Sequence, residues 1–239
     1  MPSVCFIRHG ESQANIGQAT AHPKTVKLTP KGIEQAYSIV SFFKRSPDLI
    51  ITSRYKRTLE TAKPTINCFP NAYHKEWPVE EFTYLAPLDT LTTSLERKPR
   101  AEAFWRQEDP FYVDNEIAGE QVESFATFIS RVQDVIQRLR QTKENSIAVF
   151  SHEQFICAII WLSLQGKLEP GSVLSSGSKK QFKDFLNSFH LPNGAILPVQ
   201  LQDDGEIWIS SIITSHLSLN RDKGASYLHS REELQPLAE

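Results

Sequence analysis

The chain has 239 residues, with 26 Lys and Arg against 28 Asp and Glu, a formal net charge of −2, and 40% hydrophobic and 23% charged residues. This is the composition of a soluble globular protein of one large domain, and it excludes the strong basic field of a nucleic-acid or anionic-membrane binder. Cys5, Cys68 and Cys157 are odd in number, far apart and without a CxxC pair, which excludes a zinc cluster or a disulfide framework. The N-terminus lacks the basic region of a secretory signal, and the most apolar later stretch, residues 155–164, is half the ~20 residues that a membrane span needs. The cytoplasm is the expected compartment.

Residues 4–7 are a short apolar run that reads as a buried strand ending at Arg8. Thr29-Pro30 opens a helix, Thr29 as N-cap and Pro30 at the first helical position. Its predicted inner face is Ile33, Ala36, Tyr37, Val40 and Phe43, and Pro47 stops it. Leu49-Ile50-Ile51 is a second buried strand, followed by a helix that holds Arg57, Leu59 and Ala62 and nears its end at Pro64. Residues 71–74 read as a third, edge-like strand and residues 79–85 as extended or irregular chain. Residues 86–119 read as an inserted cap, with a short helix around Lys98-Pro99-Arg100, Phe104 and Trp105. A long helix is predicted over residues 122–141 from Phe125, Phe128, Ile129, Val132, Val135, Ile136 and Leu139, which recur at three or four residues.

Residues 147–150 form the fourth apolar strand, and residues 155–164, apolar on nearly all sides, a packed helix. Residues 166–177 read as a loop, 179–189 as a short amphipathic helix, and 195–201 and 207–213 as strands joined at Asp203-Asp204-Gly205, a hairpin signal. A polar tail follows from about residue 215. The alternation of strands and helices predicts an α/β fold, a three-layer α/β/α sandwich whose mainly parallel sheet has an antiparallel edge, over a single domain of residues 1–239.

Arg8-His9-Gly10 follows the first strand, Arg57 the second, and Ser151-His152 the fourth. Residues just past the carboxyl ends of parallel strands share one edge of the sheet, so two histidines and two arginines from distant sequence can meet in one crevice. Such a group calls for an anion. The forked donors of arginine suit phosphate oxygens, and a neutral imidazole can act as a nucleophile.

Arg8-His9-Gly10-Glu11-Ser12 resembles the signature of the histidine phosphatase superfamily, the phosphoglycerate mutase-like group. Asn15 stands where that family often has a phosphate-contacting Asn. The stretch Leu28-Thr29-Pro30-Lys31-Gly32-Ile33-Glu34-Gln35-Ala36 resembles its "LTxxGxxQA" helix start, and residues 53–62 its "SxxxRxxxTA" segment. Glu123-Ser124 with Arg131-Val132 resembles the start of its long helix, and Phe150-Ser151-His152 its second-histidine motif. The matches run in family order over residues 4–165.

The resemblance implies a phosphoglycerate mutase-like fold and a phosphatase of phosphomonoesters or of protein phosphohistidine. His9 would be the nucleophile, and Arg8, Asn15, Arg57 and His152 would hold the phosphoryl oxygens. Glu81, in the segment Val79-Glu80-Glu81-Phe82, would be the general acid, with Glu80 as its competitor. It implies neither a metal nor a cofactor, and as partners a small phosphorylated substrate or a phosphoprotein, with no nucleic acid and no membrane. Glu11 would be a structural partner near the site, Asn193-Gly194 a loop near phosphate or a plain turn, and His22, His74, His190, His216 and His229 surface or structural.

Three departures bear on the substrate: Glu153 where the family commonly has Gly after the second histidine, Ala14 where Trp is usual, and Phe82-Thr83-Tyr84-Leu85-Ala86-Pro87 in place of the mutases' Arg- and Tyr-containing stretch. Glu153 reads either as the acidic first turn of the next helix or as a carboxylate at the crevice rim that repels extra negative charge. The alternatives to a phosphatase are a phosphoglycerate mutase that depends on a bisphosphoglycerate primer and an inactive phospho-ligand binding protein.

Overall fold

The computed structural model describes residues 2–87, 90–114, 122–172, 174–175, 177–202 and 206–218. Six strands, β1 (Ser3–Arg8), β2 (Leu49–Thr52), β3 (Tyr73–Glu76), β4 (Ser146–Ser151), β5 (Ile196–Leu201) and β6 (Ile207–Ile209), form one sheet in the order β3-β2-β4-β1-β5-β6. The first four run parallel. β5 is antiparallel to β1, and β6 to β5. The helices are α1 (Pro30–Val40), α2 (Lys56–Cys68), α3 (Ser94–Arg106), α4 (Phe125–Arg140), α5 (Glu153–Leu164) and α6 (Ser178–Ser188).

Alternation along the strands divides the interior into two cores. Val4, Phe6, Leu49, Ile51, Ile147, Val149 and Leu197 face a large cluster with the apolar stripe of α4, nearly all of α5, and Phe104 and Phe182. Ile7, Ile50, Ala148, Phe150 and Ile196 face a smaller one with Ile39 of α1 and Ala62 of α2. The sheet is therefore covered on both faces, the layering expected when strands and helices alternate.

The inner face of α1 differs from the predicted one. Its buried residues are Gly32, Ala36, Ser38 and Ile39, whereas Ile33 and Tyr37 are 49% and 56% exposed. Close approach to the chain after β1 decides this: a Cβ on Gly32 would lie 2.0 Å from the Glu11 carbonyl oxygen, and one on Gly10 2.4 Å from that of Gly32. The small residues turn inward because only they allow that contact.

β3 lies two residues later than predicted and is the exposed edge strand. α2 continues one turn beyond Pro64, α4 starts at Phe125 with Ser124 as its N-cap, and β6 ends at Ile209. Ile213 instead bridges back to Ile196. α3 fills the centre of the inserted segment, closed at its start by a capping box between Thr93 and Glu96. Residues 88–89 and 115–119 of the expected cap, residues 173 and 176 of the 166–177 loop, the turn Asp203-Asp204-Gly205 and the tail from residue 219, with His229, lie outside the described residues.

Candidate active site

β4 lies between β1 and β2, with Arg8 in register with Ser151 and Thr52 with Phe150. The three strands therefore end side by side, and His9, Ser53 and His152 emerge next to one another. The two imidazoles are 5.2 Å apart, edge to face. α2 begins four residues after β2, so Arg57, in its first turn, reaches back between them. Its Nε donates to His9 Nε2 at 3.1 Å, its Nη2 to His152 Nδ1 at 2.9 Å, and its Nη1 to the Pro23 carbonyl at 2.8 Å.

These partners settle both tautomers. His9 Nδ1 lies 2.7 Å from the Gly10 carbonyl oxygen, which can only accept. Nδ1 therefore carries the proton, and Nε2 presents its lone pair. In His152 the guanidinium occupies the Nδ1 lone pair, so Nε2–H donates to Ser53 Oγ at 2.8 Å. Burial first, then the charge on Arg57, with Arg8 adding to it, holds both histidines well below their ordinary pKa of 6.5. Both are neutral at pH 7.

The segment after β3 carries Glu80 and Glu81 to different places. The Glu80 carboxylate pairs with Arg54 at 2.9 Å and Arg131 at 3.8 Å, away from the histidines. Glu81 lines the cavity, and its Oε1 accepts from the Gln154 amide at 2.9 Å. Burial, with help from Glu153, raises the pKa of Glu81, against the opposing charges of Arg57 and Arg8. Three groups hold this segment. Ser151 Oγ donates to the Val79 carbonyl. Arg131 donates to the Pro78 and Glu80 carbonyls. Arg131 is itself clasped by both oxygens of Glu123 at 3.0 and 2.6 Å.

The cavity over His9 has a volume of about 280 Å³. Arg8, His9, Asn15, Arg57, Glu81 and Glu153 make its polar side, and Pro23, Val26, Leu85 and Pro87 contribute apolar wall. Asn15 Oδ1 lies within reach of three donors, Ser12 N, Ser12 Oγ and Asn193 Nδ2, which leaves the Asn15 Nδ2 donors for another partner. Asn193 also donates to the His9 carbonyl, and the Gly194 amide to the carbonyls of Arg8 and His9. That loop braces the backbone of His9.

All six predicted site residues, Arg8, His9, Asn15, Arg57, Glu81 and His152, meet at one place. Arg8, His9, Arg57 and His152 are buried. Glu11 sits on Lys31 and Thr29. Of the remaining histidines in the described residues, His22 caps a short turn, His74 contacts Thr52 and buried His216 contacts the Gly194 carbonyl. His190 reaches Glu153 at 3.1 Å.

No role was read from the sequence for Thr58 or Arg97, nor for Ser53 and Thr61, although both of these are positions of the SxxxRxxxTA segment. Thr61 accepts from the Gly10 amide and donates to the Arg57 carbonyl. The T of the SxxxRxxxTA segment, four residues after Arg57 on the same helical face, was the available signal. Arg97 of α3 lines the outer wall and donates to Thr92 and Thr20. Nothing in its own sequence context pointed there.

No helix among the described residues is long and apolar enough to cross a membrane, and no group of three or more His, Cys, Asp or Glu among them could hold a metal ion. Solved structures share this fold. A phosphoserine phosphatase from Entamoeba histolytica, in complex with 3-phosphoglyceric acid, superposes with a TM-score of 0.63 at 22% identity, over 91% of this chain and 100% of that one. An alpha-ribazole phosphatase from Shigella flexneri gives 0.64 at 19%, over 89% and 96%. A mycobacterial glucosyl-3-phosphoglycerate phosphatase gives 0.64 at 16%, over 88% and 98%. No curated protein matches the chain in sequence. Residues 4–175 match the family that the site geometry suggests, and the chain belongs to the histidine phosphatase superfamily, branch 1.

Proposed function

We propose that the protein is a phosphatase that hydrolyses a phosphomonoester, or a protein phosphohistidine, through a phosphohistidine on His9. The observation that carries this reading is the Arg57 guanidinium held between His9 Nε2 and His152 Nδ1, with the raised-pKa carboxyl of Glu81 in the same cavity.

A bound phosphoryl group takes over the donors of Arg57 and frees the lone pair of His9. His9 Nε2 attacks phosphorus and forms the N–P bond while the ester O–P bond breaks. Protonated Glu81 gives its proton to the departing oxygen. A water oxygen then attacks phosphorus and its proton passes to the Glu81 carboxylate. The N–P bond breaks, which restores His9 and releases inorganic phosphate. Arg8, Arg57 and Asn15 stabilise the charge on the equatorial oxygens, which is most of what this transfer requires of a protein, and His152 joins them once the phosphoryl group draws the Arg57 donor away and His152 Nδ1 takes up a proton. Cationic side chains supply that charge, so no step is assigned to a metal or cofactor.

The reading also takes the chain as a single catalytic domain with α3 as its cap, in the reducing cytoplasm, in keeping with three free cysteines. Its substrate is small and phosphorylated or is a phosphoprotein.

The test is to mix the enzyme with labelled p-nitrophenyl phosphate in EDTA, quench rapidly in base, and map the label. The expected outcome is acid-labile label on His9, with none in His9→Ala and turnover lost there. Label on Ser or Asp, or turnover without label, would refute the pathway. Activity that requires a bisphosphoglycerate primer would make it a mutase. Phosphate binding with neither label nor turnover would leave a phospho-ligand binder.

A further inference from the structure

Glu153 opens α5 directly after His152, and its carboxylate is not left at the rim. Oε2 lies 2.8 Å from Arg8 Nη2, and Oε1 accepts from the Leu191 amide at 3.2 Å. The Leu191 carbonyl takes Arg8 Nη1. The end of the Arg8 side chain is thus held in a frame made of the first turn of α5 and the chain before β5. Arg8 is 4% exposed, and its Nε is the one guanidinium nitrogen without a hydrogen-bond partner among the described residues. A buried, unpartnered donor of a charged group is costly to leave unmade, and this one belongs to a residue that lines the cavity over His9.

Resting on the phosphatase reading of this cavity, we propose that Glu153 is a positioning residue. It anchors Arg8 by one edge so that Nε is presented to the phosphoryl group. The neighbourhood supports this over a repelling rim charge, because Glu153 is compensated by Arg8. It also argues against Glu153 as a second proton donor, because its two oxygens already accept from Arg8 and Leu191. Where a histidine phosphatase has Gly at this place, no side chain is there to hold Arg8 in this way. The anchor belongs to this chain's own version of the site.

The alternative is that Glu153 only supplies a carboxylate to the first turn of α5. The substitutions Glu153→Ala and Glu153→Asp separate the two, because Asp keeps a negative charge in that turn but withdraws it from Arg8 by one methylene. Each is made with Arg8 intact and in an Arg8→Ala background. Inorganic phosphate affinity is measured by calorimetry, and KM and kcat with p-nitrophenyl phosphate.

With Arg8 present, both variants should weaken phosphate binding about tenfold, the scale of one lost charged hydrogen bond, and raise KM in proportion. In the Arg8→Ala background neither should weaken it further, because a residue that acts through another has nothing left to hold once that other is gone, and Glu153→Ala should if anything strengthen it, since Glu153 is then an uncompensated carboxylate on the cavity wall. Glu153→Asp indistinguishable from the wild type, or a loss that persists without Arg8, would overturn the proposal. If Glu153→Ala does not fold, Glu153→Asp carries the same comparison. Phosphate binding without turnover of any phosphomonoester would remove the phosphatase reading and leave the positioning role standing. A wild type that binds no phosphate would overturn both.

Discussion

At the scale of single residues, His9 and Glu81 show how one small cavity sets two opposite protonation states. Burial disfavours whichever form is charged. It therefore keeps the imidazole neutral and favours the protonated form of the carboxyl, the states that the proposed nucleophile and acid need. The pH profile of kcat/KM follows from these signs. It should fall on the acid side only well below pH 6.5, where His9 finally takes a proton. On the alkaline side it should fall above the raised pKa of Glu81, where the acid is lost. Glu81→Gln should remove the alkaline limb and slow alkyl phosphates by ~10²-fold or more, while p-nitrophenyl phosphate, with its good leaving group, falls far less. An alkaline limb that survives in Glu81→Gln and disappears in Glu80→Gln would move the role to Glu80.

Strand alternation was what the sequence offered for the choice between those two carboxylates, but residues 77–85 form no strand in the structure, and their different partners separate them. What it could not show is that Glu80 is buried as well, held by Arg54 and Arg131. That pairing crosses from one segment to others 26 and 51 residues distant, and no local pattern reports it.

Among the elements, the buried strands and the long amphipathic helix were legible because their periodicity is strong and their burial one-sided or complete. α1 was misread because hydrophobicity was weighed and size was not: Gly32 and Ala36 face inward for lack of bulk, and Tyr37 faces solvent. β3 was displaced because an edge strand with all four residues exposed has no apolar alternation to mark it. Arg131 on α4 has the most consequential placement of this order. It joins that helix to the irregular segment that carries Glu81, through Glu123 and two backbone carbonyls. Arg131→Ala should destabilise the protein by about 3 kcal/mol, as when one partner of a buried pair is removed, and should lower kcat as well as thermal stability. Arg131→Lys should recover little, since an ammonium cannot make the two-pronged contact. Thermal unfolding and steady-state kinetics of both variants check this.

For the molecule as a whole, the layering and the mixed sheet were readable from the order of strands and helices. The exchange of neighbours that puts β4 between β1 and β2 was not, since strand order depends on long crossovers and not on any strand's own sequence. That order joins His9 to Arg57 across 48 residues and Arg57 to His152 across 95. Contacts so distant along the chain form only when the sheet is assembled, and no fragment holds more than part of them. Catalysis then serves as a gauge of cooperative order. As urea is raised, activity should vanish at the same midpoint as the far-ultraviolet circular dichroism of the sheet and helices. Activity that vanished at clearly lower urea would show that the chain after one of these strands opens as a unit of its own.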